Sequence, residues 1–133
     1  MSETTEKISI DDFAKVEIKL GTVLEVSVVE GADKLYKLIV DFGIKRPEER
    51  DNLPDQSPDD VRGEKEIRQI LSAIREYVKE EELLGKQFPF ITNLAPRMIR
   101  GLESNGMILA GSDSETFTLL SPTKVLHNGT RLR

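Results

Sequence analysis

The stretch NLAPRMIRGLESNGMILAG, residues 93–111, decides how we interpret this chain. A polar segment with two arginines and a proline leads to an Asn-Gly pair at 105–106, which is a strong turn signal. The apolar run 107–110 follows and has the length of a short buried strand. A cationic loop therefore leads directly into a core strand, and a rigid strand below a charged loop is a common way to present groups to a ligand.

The candidate binding residues lie in this loop. Arg97 and Arg100 carry permanent charge on a planar fork that suits phosphate. Asn93 and Ser104 offer short donors and acceptors for sugars or base edges. Met107 either contacts the ligand or fills the core, as methionine readily does. The simpler alternative is a solvated loop that connects two strands, and residue types alone favour it.

Composition places the chain among soluble globular proteins. The sequence has 133 residues, 38% of them hydrophobic and 32% charged, which predicts a single domain, 1–133, with a real core. No apolar stretch approaches the roughly 18–20 residues of a membrane span. The N-terminal residues 1–10 are polar and acidic, unlike a signal peptide. We therefore expect a cytoplasmic protein without a membrane association.

The residue types that most enzymes need are scarce. The chain has no cysteine and one histidine, His127, so a metal site or a histidine-based triad is not expected. No glycine-rich phosphate loop is present, and we expect no cofactor. The composition favours a non-catalytic binding module over an enzyme.

The charge distribution points to a local anion-binding face. The net charge is −5, but residues 84–133 carry six basic and three acidic side chains. Because distribution matters more than the sum, this basic C-terminal third is compatible with nucleic acid.

The N-terminal part predicts a β-hairpin. Ser9 or Asp11 can cap a short helix at 12–16. Residues 17–28 alternate apolar and polar side chains, and Gly21 within them suggests a bulge or bend. After a turn at 30–33, residues 35–42 form a second strand. Lys34 and Lys37 lie near the mouth of this hairpin, although each alone could be an ordinary surface lysine.

Two segments between the N-terminal and the C-terminal strands each have two possible interpretations. Residues 45–63 hold three prolines, many charges and few aliphatic residues, which predicts a mobile acidic insertion or else a linker. Residues 64–85 repeat apolar side chains with helical spacing. The alternative is a strand at 67–74 followed by a short helix at 77–84.

The C-terminal part predicts further short strands. Residues 87–93 form a strand in which Pro89 should lie at an edge or a bulge. Residues 106–110 and 117–120 form two more, and 121–133 is a polar tail. The count favours an all-β, five-stranded Greek-key barrel of the oligonucleotide-binding type, with short peripheral helices.

Several short motifs together carry a family resemblance. They are DDFAKV at 11–16, GADKL at 31–35, NLAPR at 93–97, Gly101, and SNGM at 104–107 followed by LA. This set resembles the tRNA-binding domain at the C-terminus of many methionyl-tRNA synthetases. The same domain occurs as a stand-alone bacterial tRNA-binding protein and in endothelial-monocyte-activating polypeptide II.

The resemblance implies an oligonucleotide-binding barrel that binds tRNA with little sequence preference and performs no catalysis. It implies a homodimer, helped by the segment 11–16, and an aminoacyl-tRNA synthetase as partner. It also implies that 67–74 is the third barrel strand. The chain departs from the family pattern at Ala73, Pro89 and Met98, where glycine, an aliphatic residue and a basic residue are usual, and in the acidic insertion.

Placed on such a barrel, the two cationic loops border the usual ligand face. Arg97, Arg100, Lys34 and Lys37 then lie near one site. Because the loop has no aromatic residue, we expect recognition of shape, phosphate and 2′-hydroxyl rather than base stacking. The alternative function is an export-related, chaperone-like protein-binding module of the same fold, and GADKL and SNGM favour the synthetase-like branch.

Overall fold

The computed structural model describes residues 6–44 and 65–133. The predicted acidic insertion at 45–63 lies outside these residues. The first elements are α1 (Ile10–Phe13), β1 (Ile18–Val29), β2 (Ala32–Ile44), β3 (Lys65–Ser72) and α2 (Glu80–Leu83). The remaining elements are β4 (Gln87–Ile91), β5 (Arg97–Ile99), β6 (Leu102–Ser104), β7 (Met107–Ile108), β8 (Ala110–Ser112), β9 (Phe117–Leu119) and β10 (Arg131–Leu132).

Strand β1 is the centre of the fold. Its second half pairs with β2, from Thr22 opposite Asp41 to Val29 opposite Ala32, and its first half pairs with β4. The sheet order is β3-β2-β1-β4-β7, with β10 added at the start of β1, and every pairing is antiparallel. This curled sheet, with little helix, confirms the predicted all-β barrel of the oligonucleotide-binding type.

Gly21 serves the fold differently from the prediction. The irregularity in the β1–β2 pairing lies between Val23 and Glu25, so the bulge, one of the two alternatives predicted for Gly21, does not lie at that residue. A Cβ atom at Gly21 would lie 2.7 Å from side-chain atoms of both Phe42 and Val40. Glycine is therefore required because the core side chains of β2 approach the β1 backbone closely.

The conflict over residues 64–85 is resolved in favour of a strand. β3 pairs with β2 from Ser72 opposite Tyr36 to Lys65 opposite Ile44, and it ends two residues before Ile74. The helical spacing misleads because Ile70, Ile74 and Val78 all enter the core, the first from β3 and the others from the turns after it. The predicted helix at 77–84 is confined to Glu80–Leu83.

Pro89 lies in the interior of β4, opposite Leu20 on β1. The Leu20 N–H donates to the carbonyl of Thr130, and the Leu20 carbonyl accepts from the Gly129 N–H. Leu20 therefore needs no hydrogen bond from Pro89. On the other side, β7 pairs only with Phe90 and Ile91. The β4–β7 ladder thus ends next to Pro89, as expected for a proline at an edge position, and Leu20 does not require an N–H from it.

The C-terminal tail is more structured than its polar composition predicts. Its strand β10 pairs with Ile18 and Lys19 of β1. Gln87 fixes the tail through both ends of its buried amide, donating to the carbonyl of Leu126 at 2.7 Å and accepting from the Leu126 N–H at 3.1 Å. The side chain of Asn128 accepts a further bond from the Thr22 hydroxyl. These contacts make the tail part of the barrel.

Most of the buried apolar side chains form one core. Phe42 and Phe90 meet edge to face with ring centroids 5.3 Å apart. Buried residues from β1, β2, β3, β4 and β7 surround them, together with residues from the β3–β4 connection. This main core comprises Val23, Tyr36, Leu38, Val40, Phe42, Ile70, Ile74, Val78, Leu83, Phe88, Phe90 and Ile108.

A polar bridge crosses the edge of the barrel. Arg68 of β3 pairs with Glu66, lies over the Phe42 ring and donates to the backbone carbonyl of Thr92. The Thr92 hydroxyl in turn donates to the Glu17 carboxylate at 2.6 Å. Burial alone would raise the pKa of Glu17, but this hydrogen bond and nearby cations, Lys19 first among them, outweigh it, so the Glu17 pKa is lowered.

Candidate nucleic-acid interface

The cationic loop is a short hairpin rather than an irregular turn. Arg97–Ile99 pairs with Leu102–Ser104, and the two central residues, Arg100 and Gly101, have φ of 54° and 81°. Two positive φ angles in a two-residue connection are typical of a type I′ turn, which usually holds asparagine, aspartate or glycine. The three-residue strands are too short to show a period of two in the sequence.

The underside of the hairpin packs against the β1–β2 turn. Ile99 and Leu102 contact a small cluster formed by the buried residues Val29, Ala32 and Leu71. Leu35 packs against the same cluster. The structure therefore places the two predicted loops side by side, and this small cluster packs between them.

Ser104 attaches the hairpin to β3. Its hydroxyl is buried, accepts a bond from the Leu71 N–H at 3.0 Å and donates to the carbonyl of Gly106 at 3.3 Å. Next to it, the Asn105 N–H donates to the Gln69 carbonyl. Ser104 therefore shapes the site from below, and its hydroxyl is not presented to solvent.

The four predicted cations lie on the surface around this hairpin. Arg97, Arg100 and Lys34 are exposed, whereas Lys37 is half-buried on β2, opposite Leu71. None of the four forms an ion pair with a carboxylate of the described residues. Cations without a carboxylate partner nearby remain available to a phosphate.

The backbone of one further basic residue lies beside this group, a contact that was missed from the sequence. The backbone N–H of Arg75 donates to the carbonyl of Lys34 at 3.1 Å, so Arg75 lies directly beside the β1–β2 turn. No local pattern could reveal it, because the contact joins residues that are far apart in the chain.

Asn93 lies at the base of this region, and its amide is already used within the protein. Its Nδ2 donates to the carbonyl of Lys15 at 2.6 Å, and its Oδ1 accepts from the Glu17 N–H at 2.8 Å. Asn93 thus ties the segment after α1 to the end of β4. Helix α1 itself begins at Ile10 behind the Ser9 cap, two residues earlier than predicted.

Two methionines expose apolar surface near the arginines. Met107 on β7 is 44% exposed, which is incompatible with the alternative that it is a plain core residue. Met98, the middle residue of β5, is 69% exposed. Both can offer thioether surface to a ligand.

Two kinds of site are absent from the described part of the chain. Across residues 6–44 and 65–133, no three histidine, aspartate or glutamate side chains gather closely enough to hold a metal ion. Within the same ranges, no helix is long and apolar enough to cross a membrane. The arrangement offers charge and hydrogen-bond donors on a hairpin that packs against the β1–β2 turn and β3.

Comparison with known proteins agrees with this geometry. The family model described as "Putative tRNA binding domain" matches residues 60–131. The chain is 42% identical to a methionine–tRNA ligase of Methanoregula boonei over 132 residues, which is 99% of this chain and 16% of that protein. The chain thus spans about one sixth of the length of this curated relative.

Solved structures match over nearly the whole chain. A MetRS-related protein from Pyrococcus horikoshii has a TM-score of 0.77 and 30% identity, covering 97% of this chain and 100% of that one. The CsaA chaperone protein from Picrophilus torridus has a TM-score of 0.72 and 26% identity, covering 96% of this chain and 100% of the other. With its barrel, its cationic hairpin and these matches, the chain belongs to the tRNA-binding domain family.

Proposed function

We propose that the protein binds tRNA on the face formed by the β5–β6 hairpin and the β1–β2 turn, with little sequence preference. The observation that carries this proposal is the group of four basic side chains on that face, within a member of the tRNA-binding domain family. Residues 1–133 act as one domain, with the acidic segment 45–63 as an insertion. The protein itself performs no catalysis.

The chemistry of the face favours backbone contacts. Arg97, Arg100, Lys34 and Lys37 supply charge for phosphates, and the exposed Met107 can touch sugars or base edges. Asn93 and Ser104 hold the segments that carry these groups. Residues 97–104 contain no aromatic side chain, so stacking is not a major contribution.

The salt dependence of binding tests the face. Each phosphate contact contributes about 0.7–0.9 to the slope of log affinity against log salt concentration. Replacing Arg97 and Arg100 together with alanine should reduce that slope by about 1.5 and weaken binding to all tRNAs alike. The control is the double replacement of Lys7 and Lys79, which lie outside the face. An unchanged slope in the arginine variant would show that the hairpin only connects strands.

We further propose that the protein acts as a subunit or trans-acting cofactor of an aminoacyl-tRNA synthetase, of the methionyl type. The support is its similarity to a segment of methionine–tRNA ligases. Holding tRNA near the enzyme raises its effective concentration at the active site. Aminoacylation by a methionyl enzyme lacking this domain, measured at limiting tRNA, should accelerate when the protein is added, and no acceleration would refute this role.

We also propose that the protein forms a homodimer through the segment around α1. Helix α1 buries none of its residues, and Ile8, Ile10, Phe13 and Val16 are all exposed. An apolar strip of this kind suits a two-fold contact between copies, which would also widen the basic face. Sedimentation equilibrium at micromolar concentration should give twice the 15.0 kDa of one chain, and Ile10→Ser with Phe13→Ser should restore the monomer.

The chaperone-like alternative has one supporting observation, which is the similarity to CsaA proteins. It predicts that unfolded polypeptide competes with bulk tRNA for the protein. A gel-shift assay with tRNA and a permanently unfolded competitor separates the two functions, because competition at stoichiometric amounts occurs only if both ligands share one face.

A further inference from the structure

Two Asn-Gly pairs, at 105–106 and 128–129, differ in how the fold holds them. Asn-Gly is the dipeptide most prone to spontaneous deamidation, because glycine has no side chain to hinder attack of its backbone nitrogen on the asparagine amide. The attack requires that this nitrogen and the side-chain amide can move together. The hydrogen bonds around each pair therefore indicate which of the two can react.

The pair at 128–129 is fixed on both sides of the reaction. The Gly129 N–H donates to the carbonyl of Leu20 at 2.7 Å. The Asn128 Oδ1 accepts from the Thr22 hydroxyl at 2.8 Å and from the Gln87 amide at 2.9 Å. All three bonds must open before the glycine nitrogen can reach the side-chain carbon, so the folded protein protects this pair.

The pair at 105–106 has no such protection. Among residues 6–44 and 65–133, no hydrogen bond engages the Asn105 side-chain amide or the Gly106 N–H. Both residues are half-buried in the connection between β6 and β7, so water can reach them. The nucleophile and the amide are thus neighbours in the chain, and neither has a competing partner within the described residues.

The fold requires glycine at position 106. Its φ is 133°, a conformation that residues with a Cβ rarely adopt. A Cβ atom there would lie 3.1 Å from both the Ile91 carbonyl oxygen and the Ile70 Cδ1 atom. Since residue 106 must be glycine, the residue before it decides whether this connection is reactive, and this chain has asparagine there.

The position of Asn105 links the reaction to the hairpin. Its neighbour Ser104 lies opposite Arg97, accepts from the Leu71 N–H and donates to the Gly106 carbonyl. A carboxylate at 105 would add negative charge beside the exposed cations. Isoaspartate would also lengthen the main chain between Ser104 and Gly106, which would displace the carbonyl that the Ser104 hydroxyl contacts.

We propose that Asn105–Gly106 is a deamidation site, and that its reaction weakens the tRNA face as the protein ages. The Gly106 nitrogen bonds to Cγ of Asn105, the Cγ–Nδ2 bond breaks, and the amide group leaves as ammonia with the proton that the Gly106 nitrogen gives up through water. Water then opens the resulting succinimide to aspartate or isoaspartate. The effect on tRNA rests on the proposed function, whereas the reaction does not.

Hydroxylamine tests the reaction without tRNA, since it attacks the succinimide and cleaves the chain between asparagine and glycine. The folded protein should be cut into fragments 1–105 and 106–133. Cleavage after Asn128 should be slower on the order of 100-fold, because three hydrogen bonds must open first. In concentrated denaturant, both pairs should be cut at similar rates.

Two results of this experiment would overturn the proposal. One is preferential cleavage of the folded protein after Asn128. The other is an intact Asn105–Gly106 bond in the folded protein over the time that cleaves the unfolded chain.

Incubation at mildly alkaline pH tests the consequence for tRNA. Asn105→Asp should weaken binding to bulk tRNA about 2–5-fold, which is the effect of one exposed charge pair. Wild-type protein incubated until mass spectrometry shows deamidation at residue 105 should lose at least as much affinity. Asn105→Gln is the matched control, because it keeps the amide but would have to form a larger ring, and it should bind equally before and after the incubation.

The outcomes separate this proposal from the proposed function. If Asn105→Asp binds tRNA as tightly as the wild type while the double arginine variant binds weakly, the effect assigned to residue 105 is wrong. If neither variant loses affinity, the tRNA face lies elsewhere, and hydroxylamine cleavage still decides whether Asn105 reacts. An equal loss of affinity in incubated Asn105→Gln would assign the ageing to another residue and overturn the proposed consequence.

Discussion

The main core and the small cluster below the hairpin stabilise the elements around them to different extents. The main core joins twelve buried residues from five strands and the β3–β4 connection. The cluster below the hairpin has three buried residues, and the half-buried Leu35, Ile99 and Leu102 pack against it. Because the buried apolar area sets most of the stability, the barrel is the robust part and the hairpin is a lightly attached appendage. Binding residues can therefore change without loss of the fold.

The largest effect is expected from Phe90→Ala in the main core. The side chain is fully buried and meets Phe42 edge to face, so its removal leaves a cavity and should lower the free energy of unfolding by about 3–5 kcal/mol. Urea denaturation measures the change. Val28→Ala, which truncates a half-exposed side chain, serves as the control. A loss below about 1 kcal/mol for Phe90→Ala would contradict the assignment of stability to this core.

Ser104→Ala should have an intermediate effect that is confined to the hairpin. The replacement leaves the buried N–H of Leu71 without its acceptor, which costs about 1–3 kcal/mol. Amide hydrogen exchange should accelerate in residues 97–104 and at Leu71, and the affinity for tRNA should fall. Exchange that accelerates equally in β1 and β2 would mean that the hairpin and the barrel open as one unit.

Glu17→Gln removes the carboxylate from the polar bridge at the barrel edge. It should lower the free energy of unfolding by about 1 kcal/mol at neutral pH. The folded protein lowers the Glu17 pKa, so the ionised carboxylate stabilises the fold above its ordinary pKa. That contribution is lost as the pH falls through the lowered pKa. Urea midpoints of the two proteins should therefore differ at about pH 7 and converge as the pH falls through the lowered Glu17 pKa. A difference that grows in acid would contradict the direction of the shift.

The smallest change in stability is expected from Arg100→Gly, and it should be favourable. Arg100 has a φ of 54°, which a residue with a Cβ adopts at a cost, so glycine should gain about 0.5 kcal/mol despite its freer unfolded state. At the same time the loss of a charge should weaken tRNA binding. A variant that is both more stable and weaker in binding would show that arginine is retained at this strained position for the ligand.

Much of the barrel follows from the sequence, and the hairpin does not. β1 and β2 are long enough for alternation to reveal them, and the Asn-Gly pair before β7 marks its start. For β3, local periodicity favours a helix, and only the family resemblance predicts the strand. The hairpin escapes detection because each of its strands has three residues and its turn holds an arginine in place of the usual asparagine.

Side-chain attachments between distant segments could not be predicted at all. Ser104 and Asn93 look like surface polar residues, but they bond to backbone atoms of Leu71 and Lys15 respectively. Gln87 likewise fixes the tail through a contact with Leu126. Such roles depend on three-dimensional proximity, and no local pattern of residue types encodes them.

The position of β1 at the centre of the sheet also governs how the chain can fold. Its first residue, Ile18, lies opposite Ile91 of β4 and Leu132 of β10. Pairings across such sequence separations require closure of long loops before any contact is gained, which slows folding. During synthesis, β1 and β2 can form their hairpin early, but the first half of β1 stays an unpaired edge until β4 emerges from the ribosome. That interval is when the nascent chain is most prone to aggregation.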